Sequence, residues 1–265
     1  MANVLITNDD GYDSAGLLAL KLAIERVAQV TVIAPSSNRS GISRALTVSR
    51  SMLVERVELA DGSPALAVDG NPVDCVRFAA LELGGVIPDV VVSGINLGIN
   101  AGDDVTYSGT VGAALEGIVQ GWSGIAVSQH LTAPWNEEMG ASVDFAPLAE
   151  FVAELLPLLG TDAVPSATVL NVNAPRGEIK GVRATRLGKR IYNDVLELDF
   201  EDERGPRYLI YESRPGFASD EGTDLMALND GYISVTPMHF ELTDFAALER
   251  LERAGLPDPM PKGAR

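Results

Sequence analysis

Two adjacent carboxylates, Asp9 and Asp10, stand at the end of a short apolar run, NVLIT over residues 3 to 7. The run reads as a buried strand, and Asn8-Asp9-Asp10-Gly11 as a polar turn after it. Adjacent side chains in a strand point to opposite faces. Where the chain turns, both carboxylates can face one point. Two carboxylates that close force one to take up a proton unless a cation removes the conflict. A divalent cation is therefore one reading of Asp9 and Asp10. The other is a helix N-terminal cap with a solvated neighbour. The only imidazoles are His130 and His239 and the only thiol is Cys75. That set argues against an ordinary zinc site. Any metal must be held by oxygen, which points to magnesium, manganese or calcium.

Two further polar segments carry chemistry. Ser36 to Arg44 is rich in hydroxyls, contains Ser40 and Gly41, and has two arginines, Arg39 and Arg44. In so acidic a chain this reads as an anion site or as an ordinary surface loop. The stretch from Gly94 to Thr110 is rich in glycine. Asn96 offers a neutral oxygen just past a strand. Ser108-Gly109-Thr110 opens a helix, where free N–H groups and the helix dipole favour an anion such as phosphate. Neither the Walker lysine nor the dinucleotide pattern G-x-G-x-x-G is present, which counts against a nicotinamide-dependent oxidoreductase.

The elements that must position these residues alternate. Strands read over 3–7, 30–34, 89–93, 124–128 and 168–173, and helices over 14–28, 72–83, 109–120 and 145–159. This predicts an α/β fold, a doubly wound, mostly parallel sheet of three layers. In such a sheet ligands bind outside the carboxyl ends of the strands, where all three segments lie. Residues 1–175 form the expected catalytic core. Residues 176–265 form an extension with a long β-hairpin over 190–212, a strand at 231–236 completing the core, and a terminal helix used in oligomerisation.

Composition sets bounds. With 20 basic against 37 acidic residues, the net charge of −17 repels a nucleic-acid duplex. No apolar run approaches the ~18 residues of a membrane span. The N-terminus, MANVLITNDDG, lacks the basic and apolar regions of a signal peptide, and a single cysteine fits a cytoplasmic location.

Taken together and in order, the segments resemble the survival protein SurE family of metal-dependent 5′-nucleotidases. The resemblance rests on LITNDDG (5–11), AP-x-x-x-RSG (34–41), DGNPVDCVRFA (69–79), VVSGINLGIN (91–100), YSGTVGAALEG (107–117), LNVNAP (170–175) and GYISVTP (231–237). It implies one divalent metal ion per subunit, magnesium or manganese, held by Asp9, Asp10, Ser40 and Asn96. It implies Asp9, Asp10 and Asn96 as catalytic residues, with the phosphate against Gly41, Ser108, Gly109 and Thr110. The implied reaction is hydrolysis of nucleoside 5′- and 3′-monophosphates, and in some members of short polyphosphate. A homodimer or homotetramer, built partly by exchange of C-terminal elements, is implied as well. Two departures bear on substrate preference: Ser36 stands where many members have an acidic residue, and Arg44 where His or Asn is frequent.

Overall fold

A computed structural model describes residues 1–130, 143–192, 196–209 and 216–256. The N-terminal β-α-β unit forms as its pattern predicts. Strand β1 (Asn3–Thr7) leads to helix α1 (Ala15–Ile24), which returns to β2 (Gln29–Pro35). Ser14 caps α1 by accepting from Leu17 N. There follow β3 (Val54–Glu58), β4 (Pro64–Val68), α2 (Pro72–Ala80), β5 (Val90–Leu97), α3 (Gly109–Val119), β6 (Ser123–Gln129), α4 (Ala146–Leu155) and β7 (Val169–Ala174).

The strands assemble in the order β3-β4-β2-β1-β5-β6-β7, continued by β13 (Ile233–Met238) and β8 (Val182–Ala184). From β4 through β7 every neighbouring pair is parallel, while β3–β4 and β13–β7 are antiparallel. The chain winds one way from β1 to β2, then crosses to the other side of β1 at β5. The β1–β5 boundary is thus the point where strand order reverses, and an open sheet leaves a crevice there.

Alternation along β1 sorts the core into two layers. Val4 and Ile6 pack with Leu17, Leu20 and Ile24 of α1 and with Leu148 and Val152 of α4. Leu5, on the opposite face, packs with Val76 and Ala79 of α2 and Ala113 of α3. Cys75 belongs to this second layer and is fully buried.

Several elements depart from the sequence reading. β3 and β4 lie outside the expected strands, and β3 (VERVE) has no completely buried position to mark it as a strand. β5 continues through Leu97, so Asn96 lies within the strand and not past it, after a register shift between Ser93 and Asn96. A short helix, α5 (Asp224–Asn229), has no counterpart among the expected elements. Within the expected hairpin at 190–212, β10 (Glu197–Asp202) pairs antiparallel with β11 (Gly205–Leu209). Further from the same turn, β9 (Arg190–Ile191) pairs antiparallel with β12 (Gly216–Phe217). Val195, Ile210 and Tyr211 of the expected hairpin lie outside the described residues. Helix α6 (Phe245–Ala254) follows β13 and buries none of its residues. Among the described residues no helix is long and apolar enough to cross a membrane.

Candidate active site

Asn8 makes the turn that presents the two carboxylates. It is fully buried; its amide donates to Gly11 O (2.8 Å) and Ser14 Oγ (2.7 Å), and its Oδ1 accepts from Gly11 N (3.2 Å). With Ser14 as the α1 cap and Asn8 as the turn residue, neither aspartate is left the capping role.

Asp9 is only 3% exposed, and its Oδ1 accepts the hydroxyl of Thr110 at 2.5 Å. Burial pushes its pKa up, while the Thr110 hydroxyl and the N–H groups of Thr110 and Gly109 act against that rise. Asp10 accepts from Leu97 N and from Asn38 Nδ2, both at 3.3 Å. Burial first, and the charge of Asp9 second, push Asp10 up to about 6. These two carboxylates are held together at a cost that an opposite charge would remove.

Several of the other expected residues share a cavity with Asp9, while Asp10 lies outside its lining. A cavity of about 420 Å³ is lined by Asp9, Ser40, Gly41, Asn96 to Asn100, Asp104, Tyr107 and Ser108. The Asn96 amide nitrogen donates to Gly98 O at 2.7 Å, which leaves its carbonyl oxygen available as a donor atom. A larger, more apolar cleft of about 810 Å³ adjoins it at Ser108, but the carboxylate lines the smaller one.

The start of α3 is tied both to its own first turn and to Asp9. Ser108 Oγ accepts Val111 N at 3.0 Å, so this residue is the helix cap. The Thr110 hydroxyl is committed to Asp9. A Cβ on Gly109 would stand 2.9 Å from Asp9 Cβ and Oδ2. The anion that the α3 N-terminus meets is therefore the Asp9 carboxylate, and the absent Cβ of Gly109 makes room for Asp9. The two arginines of the second segment are also engaged. Arg39 donates to Gly70 O and Asp69 Oδ1, each at 3.2 Å, and Arg44 pairs with Glu116.

Some positioning residues carry no mark of that role in the sequence. Asn171 and Asn173, of LNVNAP, donate to Asn100 O at 2.8 and 3.0 Å. Asn173 Oδ1 also accepts Asn100 N, and Asn100 Nδ2 donates to Ser128 Oγ, both at 2.8 Å. This network pins the chain beyond Asn96 to the ends of β6 and β7. Asp104 is held by Arg190 Nε at 2.7 Å and by the Tyr192 hydroxyl. Long-range partners of this kind leave no local pattern in the sequence.

The donor set fits a hard divalent cation. Among the described residues no group of three or more His, Cys, Asp or Glu side chains is arranged to hold a metal ion. A cation here would need the neutral oxygens of Ser40 and Asn96 beside the two carboxylates, and oxygen ligands suit magnesium or manganese.

Comparison with known proteins gives matches over most of the chain. The family described as Survival protein SurE matches residues 4–194. A protein named 5′-nucleotidase SurE from Rubrobacter xylanophilus is 48% identical over 255 residues, 94% of this chain and 96% of the relative. One of the same name from Herpetosiphon aurantiacus is 42% identical, covering 95% of this chain and 98% of the relative. The crystal structure of a SurE protein from Aquifex aeolicus superposes with a TM-score of 0.79 at 35% identity, covering 95% of this chain and 99% of that one.

Proposed function

The chain belongs to the survival protein SurE family, and we propose that, as a 5′-nucleotidase of that family, it hydrolyses nucleoside 5′-monophosphates to nucleoside and phosphate with the help of a divalent cation. The observation that carries this reading is the Asp9–Asp10 pair, both pKa values raised, at the crevice where the strand order reverses. Two such carboxylates beside hydroxyl and amide oxygens support this reading, because a divalent cation would relieve their mutual repulsion.

In this reading Asp9, Asp10, Ser40 and Asn96 hold one magnesium or manganese ion per subunit. When bound, such an ion supplies Lewis-acid polarisation of a phosphate oxygen and eases deprotonation of water. Asp9, Asp10 and Asn96 are the catalytic residues. The phosphate lies against Gly41 and Ser108, which line the same cavity as Asp9. Gly109 and Thr110 act on it through Asp9, one by making room and the other by fixing Oδ1. The proposal extends to nucleoside 3′-monophosphates and short polyphosphate, whose terminal phosphoryl groups present the same oxygens. It includes a cytoplasmic location and a homodimer or homotetramer.

The test is phosphate release from a panel of mononucleotides, with and without EDTA. EDTA should abolish turnover and manganese or magnesium restore it. Full activity in a rigorously metal-free preparation would sink the reading. Mononucleotide binding with no phosphate release at saturating manganese would favour the second reading, a nucleotide-binding module without turnover.

A further inference from the structure

Ser40 and Gly41 sit in a long connection, residues 36–53, that contains neither helix nor strand. No ladder of backbone hydrogen bonds fixes their position. Isolated anchors from backbone and side chains must do so, and the structure has them on both sides of the pair. On the N-terminal side, Arg39 N donates to Asp9 O at 2.6 Å, and the Arg39 guanidinium is tied to Asp69 and Gly70. On the C-terminal side, Ser43 N donates to Tyr107 O at 2.9 Å and Ser43 Oγ to Thr106 O at 2.6 Å.

The next residue reaches further. Arg44 forms an ion pair with Glu116, which lies on α3 and is fully buried. Its guanidinium also lies over the Phe240 ring, 4.6 Å from the centroid, just beyond β13. The backbone comes close enough to α3 that a Cβ on Gly112 would meet Ser43 O at 2.9 Å and Arg44 Cα at 3.1 Å. The Arg44 guanidinium is thus held from two sides, by the buried Glu116 carboxylate and by the Phe240 ring. The pair therefore fixes the loop against the same helix whose first turn fixes Asp9.

We propose that Arg44 is a positioning residue: clamped to Glu116, it holds the Ser40–Gly41 turn over the carboxylate pocket. The inference rests on the reading that Ser40 holds the cation. It also accounts for an arginine at this position, which serves the loop and not the substrate. Removing Arg44 leaves Glu116 with Arg77 Nε and Gln120 Nε2, each at 3.0 Å, so the buried carboxylate keeps partners and the fold is retained.

The test is the dissociation constant of manganese alone, by isothermal titration calorimetry, in a double-mutant cycle of Ser40→Ala and Arg44→Ala. Arg44→Ala should raise it about tenfold, the lower range for residues that orient a metal site. Arg44→Lys should recover part of the loss. In the Ser40→Ala background, Arg44→Ala should have no further effect, because the clamp acts through the residue already removed. Should Arg44→Ala not fold, Arg44→Gln is read in the same way. Wild-type manganese affinity in a folded Arg44 variant, or full additivity in the double variant, overturns the clamp while Ser40 remains a ligand. Unchanged affinity in Ser40→Ala alone overturns the ligand reading, and the clamp with it.

Discussion

The hydroxyl of Thr110 donates to Asp9 Oδ1 at 2.5 Å, across 101 positions of sequence. One residue sits in the turn after β1 and the other opens α3, so the bond joins two of the elements that flank the crevice. Thr110→Val keeps the shape and deletes the donor. Asp9 would then lose the largest effect opposing its raised pKa. Manganese affinity and turnover should fall together by about 10–100-fold, the range for partners that orient metal ligands. Calorimetry and steady-state rates check this, and unchanged manganese affinity would show that the bond does not prepare Asp9.

Gly109 makes a second test of the same contact. A methyl at this position collides with Asp9, so Gly109→Ala should weaken manganese binding as well as turnover. Gly121 is the control. It has φ +89, nothing lies within 4 Å of where its Cβ would stand, and it is exposed just past the end of α3. Gly121→Ala should cost stability of about 1–2 kcal/mol from the left-handed backbone alone and leave manganese affinity intact. Equal manganese affinity in the two variants would argue that Gly109 does not make room for Asp9.

Asp10 gives a pH prediction for the metal-free protein. Its pKa is raised on folding to about 6, by burial and by Asp9. The native state therefore binds the proton more tightly than the unfolded chain does. The stability this contributes is complete below the unfolded pKa, near ~3.9, and is lost as pH rises through about 6. In EDTA, Asp10→Asn should raise the melting temperature relative to wild type at about pH 7.5 and much less at about pH 4. Saturating manganese at the higher pH should reverse the order, because the wild type alone keeps both charges. A pH-independent difference in EDTA would mean that the fold does not oppose ionisation of Asp10.

The C-terminal elements predict association. Phe245, Leu248 and Leu251 of α6 are exposed, as are Leu198, Phe200 and Tyr208 of the β10–β11 hairpin. A two-stranded hairpin is marginal on its own in water. Light scattering at micromolar concentration should give a dimer or tetramer. A strict monomer would decide against assembly through these elements.

Sequence by itself determined the β-α-β rhythm and the carboxylate turn. Both are local: NVLIT must be buried, the polar turn must follow it, and the helical spacing of Leu17 and Leu20 sets one face of α1. The absence of imidazole and thiol near the motif likewise restricted any cation to oxygen ligands. Tertiary structure decided what the neighbouring groups are for. The first turn of α3 looks like an anion cradle from its sequence, and the structure sets Gly109 and Thr110 against the Asp9 carboxylate. Arg44 looks like an anion-binding residue, but its anion is Glu116. Sequence reveals which groups seek a partner, since charge and hydrogen-bonding capacity belong to the residue. It does not reveal which partner arrives, because that depends on strand order. Here β5 lies beside β1, bringing Leu97 to Asp10, and α3, which follows β5, brings Thr110 to Asp9.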